Sequence, residues 1–368
     1  MSLRKKLALV LVVIILVSLG GVTAYAKVWI PPHSPSTWQQ YATPEEAGWD
    51  SSLLEAARTQ AHELGATSIM VVYRGKVVAA WGDVEKVTPV HSIRKSFLSA
   101  LYGIHVAQGK IDISKSLADL KIDEKTPLTN EEKQAKVSDL LKARSGIYLP
   151  TAAEPAQMKE SRPSRGSYAP GTNWFYNNWD FNALGTIFRQ ETGEDIFASY
   201  QEHLAAPLGM EDFSLKDTHY AYDKASLHPS YAFAMSARDL ARFGQLYLQN
   251  GSWGGQQLIS ESWIKESLTP YSDFPVCGYG YLWWTWNQPG LKELGAYAAT
   301  GMYGNSIFVL PKAETVIVTR VDSTVPIKPF MKQIGQSDRD DLLRQIIAAK
   351  TGQAKAEPKL IHLSPVRY

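Results

Sequence analysis

The sequence predicts an α+β protein: an antiparallel sheet flanked by helices, with a mostly helical region inserted between the parts of the sheet. Three observations predict it. Strand patterns lie towards both ends of the 368-residue chain, within 68–81 and 279–320. The segment between them reads as helices and loops, so distant strands must complete one sheet. The composition, 45% hydrophobic and 20% charged, belongs to a chain able to bury a substantial core.

Arg4, Lys5 and Lys6 precede an apolar run from Leu7 to Val22, and Ala24-Tyr25-Ala26 offers a small-x-small cleavage site. Residues 1–26 therefore read as a secretory signal. The rival is an uncleaved anchor over residues 7–22, which would span only ~24 Å against the ~30 Å hydrocarbon core. The expectation is an exported protein, periplasmic or secreted, that meets a membrane only through this segment if it is retained. Residues 27–44 hold Pro31, Pro32, Pro35 and Pro44 and read as a linker. A helix follows over 51–64, closed by Gly65. Ser68 to Tyr73, the turn Arg74-Gly75 and Lys76 to Trp81 form a hairpin signal. Short helices are expected over 138–143, from the capping pattern Ser236-Ala237-Arg238-Asp239 to Asn250-Gly251, and over 338–350. Tyr279 to Trp286 reads as one strand beside a second hairpin, Ser306–Leu310 and Thr315–Arg320. One domain-sized unit is bounded at 45–350, with the helical insertion at about 116–214 and a C-terminal tail at 351–368.

Lys+Arg 38 against Asp+Glu 36 gives +2, no footprint for nucleic acid. The leader holds three of those basic residues and no acidic one, so the remainder carries −1. One cysteine, Cys277, excludes an internal disulfide framework and a Cys-rich zinc module. The eight histidines show no metal-ligand spacing, and no metal or organic cofactor is expected. No Gly-x-Ser-x-Gly elbow, Walker A loop or Gly-x-Gly-x-x-Gly loop occurs.

Ser92-Ile93-Arg94-Lys95 puts a hydroxyl and an amine on one helix face. Ser-x-x-Lys also occurs at Ser2/Lys5 and Ser262/Lys265, but the first lies in the leader and the third among charged residues. Only Ser92/Lys95 opens a segment, 96–108, that is apolar around its circumference and hence buried. Burial there favours the neutral amine. The bland reading makes Ser92 a helix cap and lets Lys95 snorkel to solvent. Tyr176-Asn177-Asn178, after the turn Pro170-Gly171-Thr172, adds a phenol able to relay a proton and an amide able to orient a partner.

Taken in order, Val90 to Phe97, Ser145-Gly146-Ile147, Pro170-Gly171-Thr172 and Tyr176-Asn177-Asn178 resemble the serine β-lactamase-related hydrolases. These include class C β-lactamases, D-alanyl-D-alanine carboxypeptidases, family VIII esterases and 6-aminohexanoate-dimer hydrolases. The resemblance implies a β-lactamase/transpeptidase-like fold and an acyl-enzyme mechanism. Ser92 would be the nucleophile, with Lys95 and Tyr176 as catalytic acid and base, either of which could take the first proton. Asn178 would orient the substrate or Lys95. The family's Lys/His-Thr/Ser-Gly element maps to Ala299-Thr300-Gly301, and the N–H of Met302 would join that of Ser92 as an oxyanion donor. Lys350-Thr351-Gly352 reads as a decoy that closes the C-terminal helix, with Gly352 at its C′ position. Alanine in place of the family's basic residue leans the substrate towards an ester or ω-amide and away from β-lactams. The alternatives are a non-catalytic penicillin-binding-like sensor and a cell-wall D-peptidase. Trp174, Phe175, Tyr281, Trp283 and Trp284 are candidates for the cleft wall, although core packing is the favoured reading for most of them.

Overall fold

The computed structural model describes residues 37–325 and 334–368; the leader and residues 27–36 lie outside the described residues. In chain order the first elements are β1 (Gln39–Tyr41), α1 (Ser51–Glu63), β2 (Ser68–Tyr73), β3 (Lys76–Gly82), β4 (Thr88–Pro89) and α2 (Arg94–Ala107). The middle of the chain gives α3 (Val137–Leu141), α4 (Ala156–Ser161), α5 (Asn178–Thr192), α6 (Ile196–Tyr200) and α7 (Ala206–Leu208). Then come β5 (Thr218–Ala221), β6 (Ser230–Met235), α8 (Ala237–Leu248), β7 (Ser252–Trp253), β8 (Gln256–Gln257) and α9 (Glu261–Ser267). The last third holds β9 (Ser272–Asp273), β10 (Cys277–Tyr279), β11 (Trp284–Trp286), β12 (Tyr297–Thr300), β13 (Ser306–Leu310), β14 (Thr315–Arg320), α10 (Gln336–Ala348) and β15 (Leu360–His362).

Ten strands form the main sheet in the order β15-β1-β3-β2-β14-β13-β12-β11-β10-β9. The sheet is antiparallel except where β1 runs parallel to β3, so it is mixed rather than purely antiparallel. Both strand hairpins read from the sequence are present with their expected bounds. They pair through Ile317↔Val71 and its neighbours, which joins the two ends of the chain. Side-chain alternation gives each central strand two buried faces. Met70, Val72, Ile307, Val309, Val316 and Val318 face α2 and α8 in the larger core. Ile69, Val71, Phe308, Leu310 and Ile317 face α1 and α10 in the second core. Burial on both faces explains why these strands read as nearly unbroken apolar runs.

Three expectations need correction. Tyr279 to Trp286 is not one strand. β10 and β11 pair antiparallel, and Leu282 between them adopts φ 63°, which reverses the chain. Gly352 is not the C′ residue of the last helix, which stops at Ala348 with Ala349 as its right-handed cap. Lys350-Thr351-Gly352 instead docks on the α1 side, where the N–H groups of Thr351 and Gly352 both donate to Gly48 O at 3.1 and 2.8 Å. The linker and the tail are partly sheet: β1 falls inside residues 27–44, and β15 pairs with it from inside 351–368. A row of unpaired backbone groups on β1 is satisfied by the tail, which the local composition does not announce.

On the α2 side of the main sheet stand the helices between 94 and 208, with a small second sheet ordered β4-β6-β5. The reactive residues lie where this region meets the end of β12.

Candidate active site

Ser92 sits in a single 3-10 turn, His91–Ile93, that runs directly into α2. Neither this turn nor α2 uses a side-chain cap, so Ser92 is not a helix cap. Its Oγ lies 2.7 Å from Lys95 Nζ. Lys95 is 2% exposed and does not snorkel. Burial first, and the charge of Arg94 second, hold its amine well below the usual lysine range. The ammonium position also faces the rings of Tyr176 and Phe181, each at 4.8 Å from its centroid.

Tyr176 ends a loop that is pinned from below. Asn177 caps α5, its Oδ1 accepting from Trp179 N at 3.1 Å, while its Nδ2 donates to Ile147 O at 2.5 Å. Asp180, fully buried, accepts from Ser145 Oγ at 2.5 Å and from Asn177 Nδ2 at 3.1 Å. Burial pushes the Tyr176 phenol up to about 12, against the opposing effects of a hydrogen bond with Ser92 and the charge of Arg94. At neutral pH the phenol is therefore a proton donor, and the amine of Lys95 is the better acceptor. Asn178 Nδ2 donates to Ala153 O at 2.7 Å, which ties the 153–155 segment to the site.

Thr300 ends β12 opposite Ser306. Gly301 follows in extended conformation, and a Cβ there would come within 2.5 Å of Val90 O. Glycine is required at this point because the 301–304 turn passes against the backbone that leads to Ser92. The Gly301 N–H already donates to Asn305 O at 2.7 Å, so the donor left for a substrate at this turn is Met302 N–H. Two residues flanking this contact adopt left-handed backbone, His91 at φ 53° and Tyr303 at φ 67°. Their rings meet edge-on at 5.1 Å. Such strain beside a reactive group is typical of functional sites.

A cavity of about 230 Å³ opens over Ser92 and Lys95, with His91, Arg94, Asn178 and Met302 among its lining residues. The fold thus brings Ser92, Lys95, Asn178 and Met302 to one cavity, with Tyr176 behind Lys95 and Thr300–Gly301 at the adjoining turn. The five aromatic candidates for the cleft wall are not among its lining residues. Trp283 is fully buried, and Trp174 and Trp284 pack on each other, with Trp284 against the Tyr176 ring at 5.5 Å. Trp284, backed by Trp174, thus braces the Tyr176 ring, while Trp283 packs on Phe243 and Tyr247 in the core.

Several residues were not singled out by the sequence reading. Arg94 is 6% exposed, stacks its guanidinium over Tyr231 at 4.3 Å and leaves Nη1 without a hydrogen-bond partner. Its place inside the Ser-x-x-Lys motif was the available signal. His91 hydrogen-bonds with Ser323 Oγ at 2.8 Å, and burial pushes its imidazole down to about 4. Ser230, Ala232 and Phe233 on β6 complete the cavity floor, and no local pattern marks them.

The family model described as "Beta-lactamase" matches residues 52–334. A 6-aminohexanoate-dimer hydrolase of Paenarthrobacter ureafaciens is 30% identical over 161 residues, 40% of this chain and 39% of that protein. The match therefore spans well under half of that relative. Among solved structures, a candidate 6-aminohexanoate-dimer hydrolase of Bacillus anthracis aligns with TM-score 0.60 and 22% identity, covering 78% of this chain and 80% of the other. A hydrolase with promiscuous acyltransferase activity, EstCE1, aligns with TM-score 0.58 and 16% identity, covering 82% and 98%. The octameric penicillin-binding protein homologue of Pyrococcus abyssi aligns with TM-score 0.57 and 20% identity, covering 75% and 74%. These structural likenesses establish the β-lactamase/transpeptidase-like fold.

Proposed function

Because the chain belongs to the beta-lactamase family, we propose that it is a serine hydrolase that cleaves an ester or amide bond through an acyl-enzyme on Ser92. The observation that carries this reading is the 2.7 Å contact between Ser92 Oγ and a buried Lys95 amine at the floor of a cavity. In the neutral state Lys95 accepts the Ser92 proton as Oγ attacks the substrate carbonyl. The N–H groups of Ser92 and Met302 stabilise the tetrahedral oxyanion, about 3–4 kcal/mol per donor in comparable sites. The Tyr176 phenol, held protonated, donates to the leaving alkoxide or amine. Water then attacks the acyl-enzyme, and the same groups return the protons.

Substrate choice turns on charge. Ala299, on β12, supplies no cation. Arg94 lines the cavity instead, which supports a substrate bearing a carboxylate. A linear ω-amide with a free carboxylate fits this reading, as do carboxylated esters. The cell-wall D-peptidase reading draws on the same residue. The leader over residues 1–26 supports export to the periplasm or medium.

Purified wild type and Ser92→Ala should be compared on p-nitrophenyl butyrate, a linear ω-amide, a penicillin and a D-alanyl-D-alanine peptide. Turnover of an ester or ω-amide that falls on the order of 10³-fold or more in Ser92→Ala is the expected result. D-Alanine release without ester turnover selects the peptidase. A stable adduct with no turnover of any substrate selects the sensor.

A further inference from the structure

His105, Glu194 and His203 lie far apart in sequence and together in space. His105 lies in the last turn of α2, the same helix that presents Lys95, and is wholly buried. Its Nε2 is 3.4 Å from Glu194 Oε2. His203 Nε2 is 3.6 Å from the same oxygen. One ligand atom from each of the three residues falls within 4.8 Å of the other two. We propose that these three side chains form a binding site for one divalent transition-metal ion of the zinc type, about 15 Å along α2 from Lys95.

The chemistry of the set fits such an ion. Two imidazoles and one carboxylate are a recurrent three-ligand set for zinc, with water in the fourth position. Bonds of ~2.0–2.1 Å to a tetrahedral ion place neighbouring ligand atoms ~3.3–3.4 Å apart. The two histidine-to-glutamate separations are already close to that spacing. Glu194 Oε2 is buried and accepts no hydrogen bond. Its other oxygen accepts from Lys110 Nζ at 2.8 Å, which fixes the carboxylate so that one oxygen points between the rings. His105 Nε2 also hydrogen-bonds with Ser199 Oγ at 3.1 Å, a contact the ion would displace. His203 lies in a π-helical turn, Gln201–Ala205, and such turns recur at functional sites. Phe188 closes on His105 edge-on at 5.1 Å and helps exclude water.

The ion would join the end of α2 to the α5–α6 connection and to the turn after α6. It would thereby fix the helix that carries the nucleophile without touching substrate. The sequence reading expected no metal, since separations of 89 residues between His105 and Glu194 and 9 between Glu194 and His203 match no ligand motif.

The test uses untagged, chelator-treated protein titrated with Co²⁺ and Zn²⁺, alongside His203→Asn and Glu194→Gln. Wild type is expected to bind one equivalent of Co²⁺ with the visible absorption of a four-coordinate site, displaced by Zn²⁺. Zn²⁺ at about 100-fold above its Kd should raise Tm by roughly 5 °C. Both variants should keep the far-UV circular dichroism of wild type and lose the cobalt spectrum and the Tm shift. Absence of stoichiometric binding in wild type, or binding unchanged in both variants, overturns the proposal.

Discussion

Arg94 and Lys95 sit side by side at the start of α2, and both are buried. The guanidinium stacks on Tyr231, and the amine beside it is buried. Both effects work in one direction, towards a neutral Lys95 that can act as base. The rate should therefore rise with pH through the depressed Lys95 pKa and then level. Arg94→Met removes a like charge, so the acid limb of kcat should move to higher pH by about one unit. A kcat–pH profile of the two proteins measures this, and a weaker KM for carboxylated substrates should accompany it. His91 supplies a second pH effect, on stability. Its folded pKa, about 4, is below the ordinary imidazole value of 6.5. The unfolded chain then binds the extra proton between these values, so stability rises with pH across that window. The contribution is complete above pH 6.5 and is lost as pH falls through 4. Asparagine tolerates the same left-handed backbone. His91→Asn should thus flatten the dependence of Tm on pH between 4 and 6.5 while leaving the fold intact.

At the scale of elements, the site depends on two backbones meeting. The turn before α2 and the turn after β12 touch at Gly301, where a side chain has no room. Gly301→Ala should push Met302 N–H out of line and lower kcat by roughly 10²-fold, with little change in the far-UV spectrum. Steady-state kinetics with p-nitrophenyl butyrate test this directly. The same contact shows what could be read from sequence at this scale. Hairpins with a turn signature between apolar runs, such as 68–82 and 306–320, were legible because strand pattern and turn chemistry agree. The 277–286 segment was not, since its chain reversal rests on Leu282 in a conformation that leucine seldom adopts. The tryptophans follow the packing reading. Abundance indicates large buried rings, and here Trp174 and Trp284 brace Tyr176 rather than face the cavity.

For the whole molecule, the sheet is assembled from chain segments separated by almost 200 residues, and its outer edge is closed by the C-terminal residues. β15 pairs with β1, Val366 exchanges hydrogen bonds with Ala80 and Gly82, and Tyr368 stacks on His62 at 5.1 Å. Deleting residues 359–368 should therefore lower stability by about 2 kcal/mol, read as a drop in the urea midpoint, while activity persists at low temperature. The candidate catalytic set was legible as an ordered series of motifs, because Ser92, Lys95 and Tyr176 lie within short local patterns. Arg94 as a cavity residue, the β6 floor and the His105–Glu194–His203 cluster were not, because each depends on which distant segments the sheet and helices bring together. The central claim is that Lys95 makes Ser92 the nucleophile, and a fluorophosphonate probe followed by peptide mass mapping tests it most directly. The account predicts one adduct per chain, on Ser92, that is absent in Ser92→Ala and slowed in Lys95→Met. An adduct on another residue, or undiminished labelling of Ser92→Ala, would contradict it.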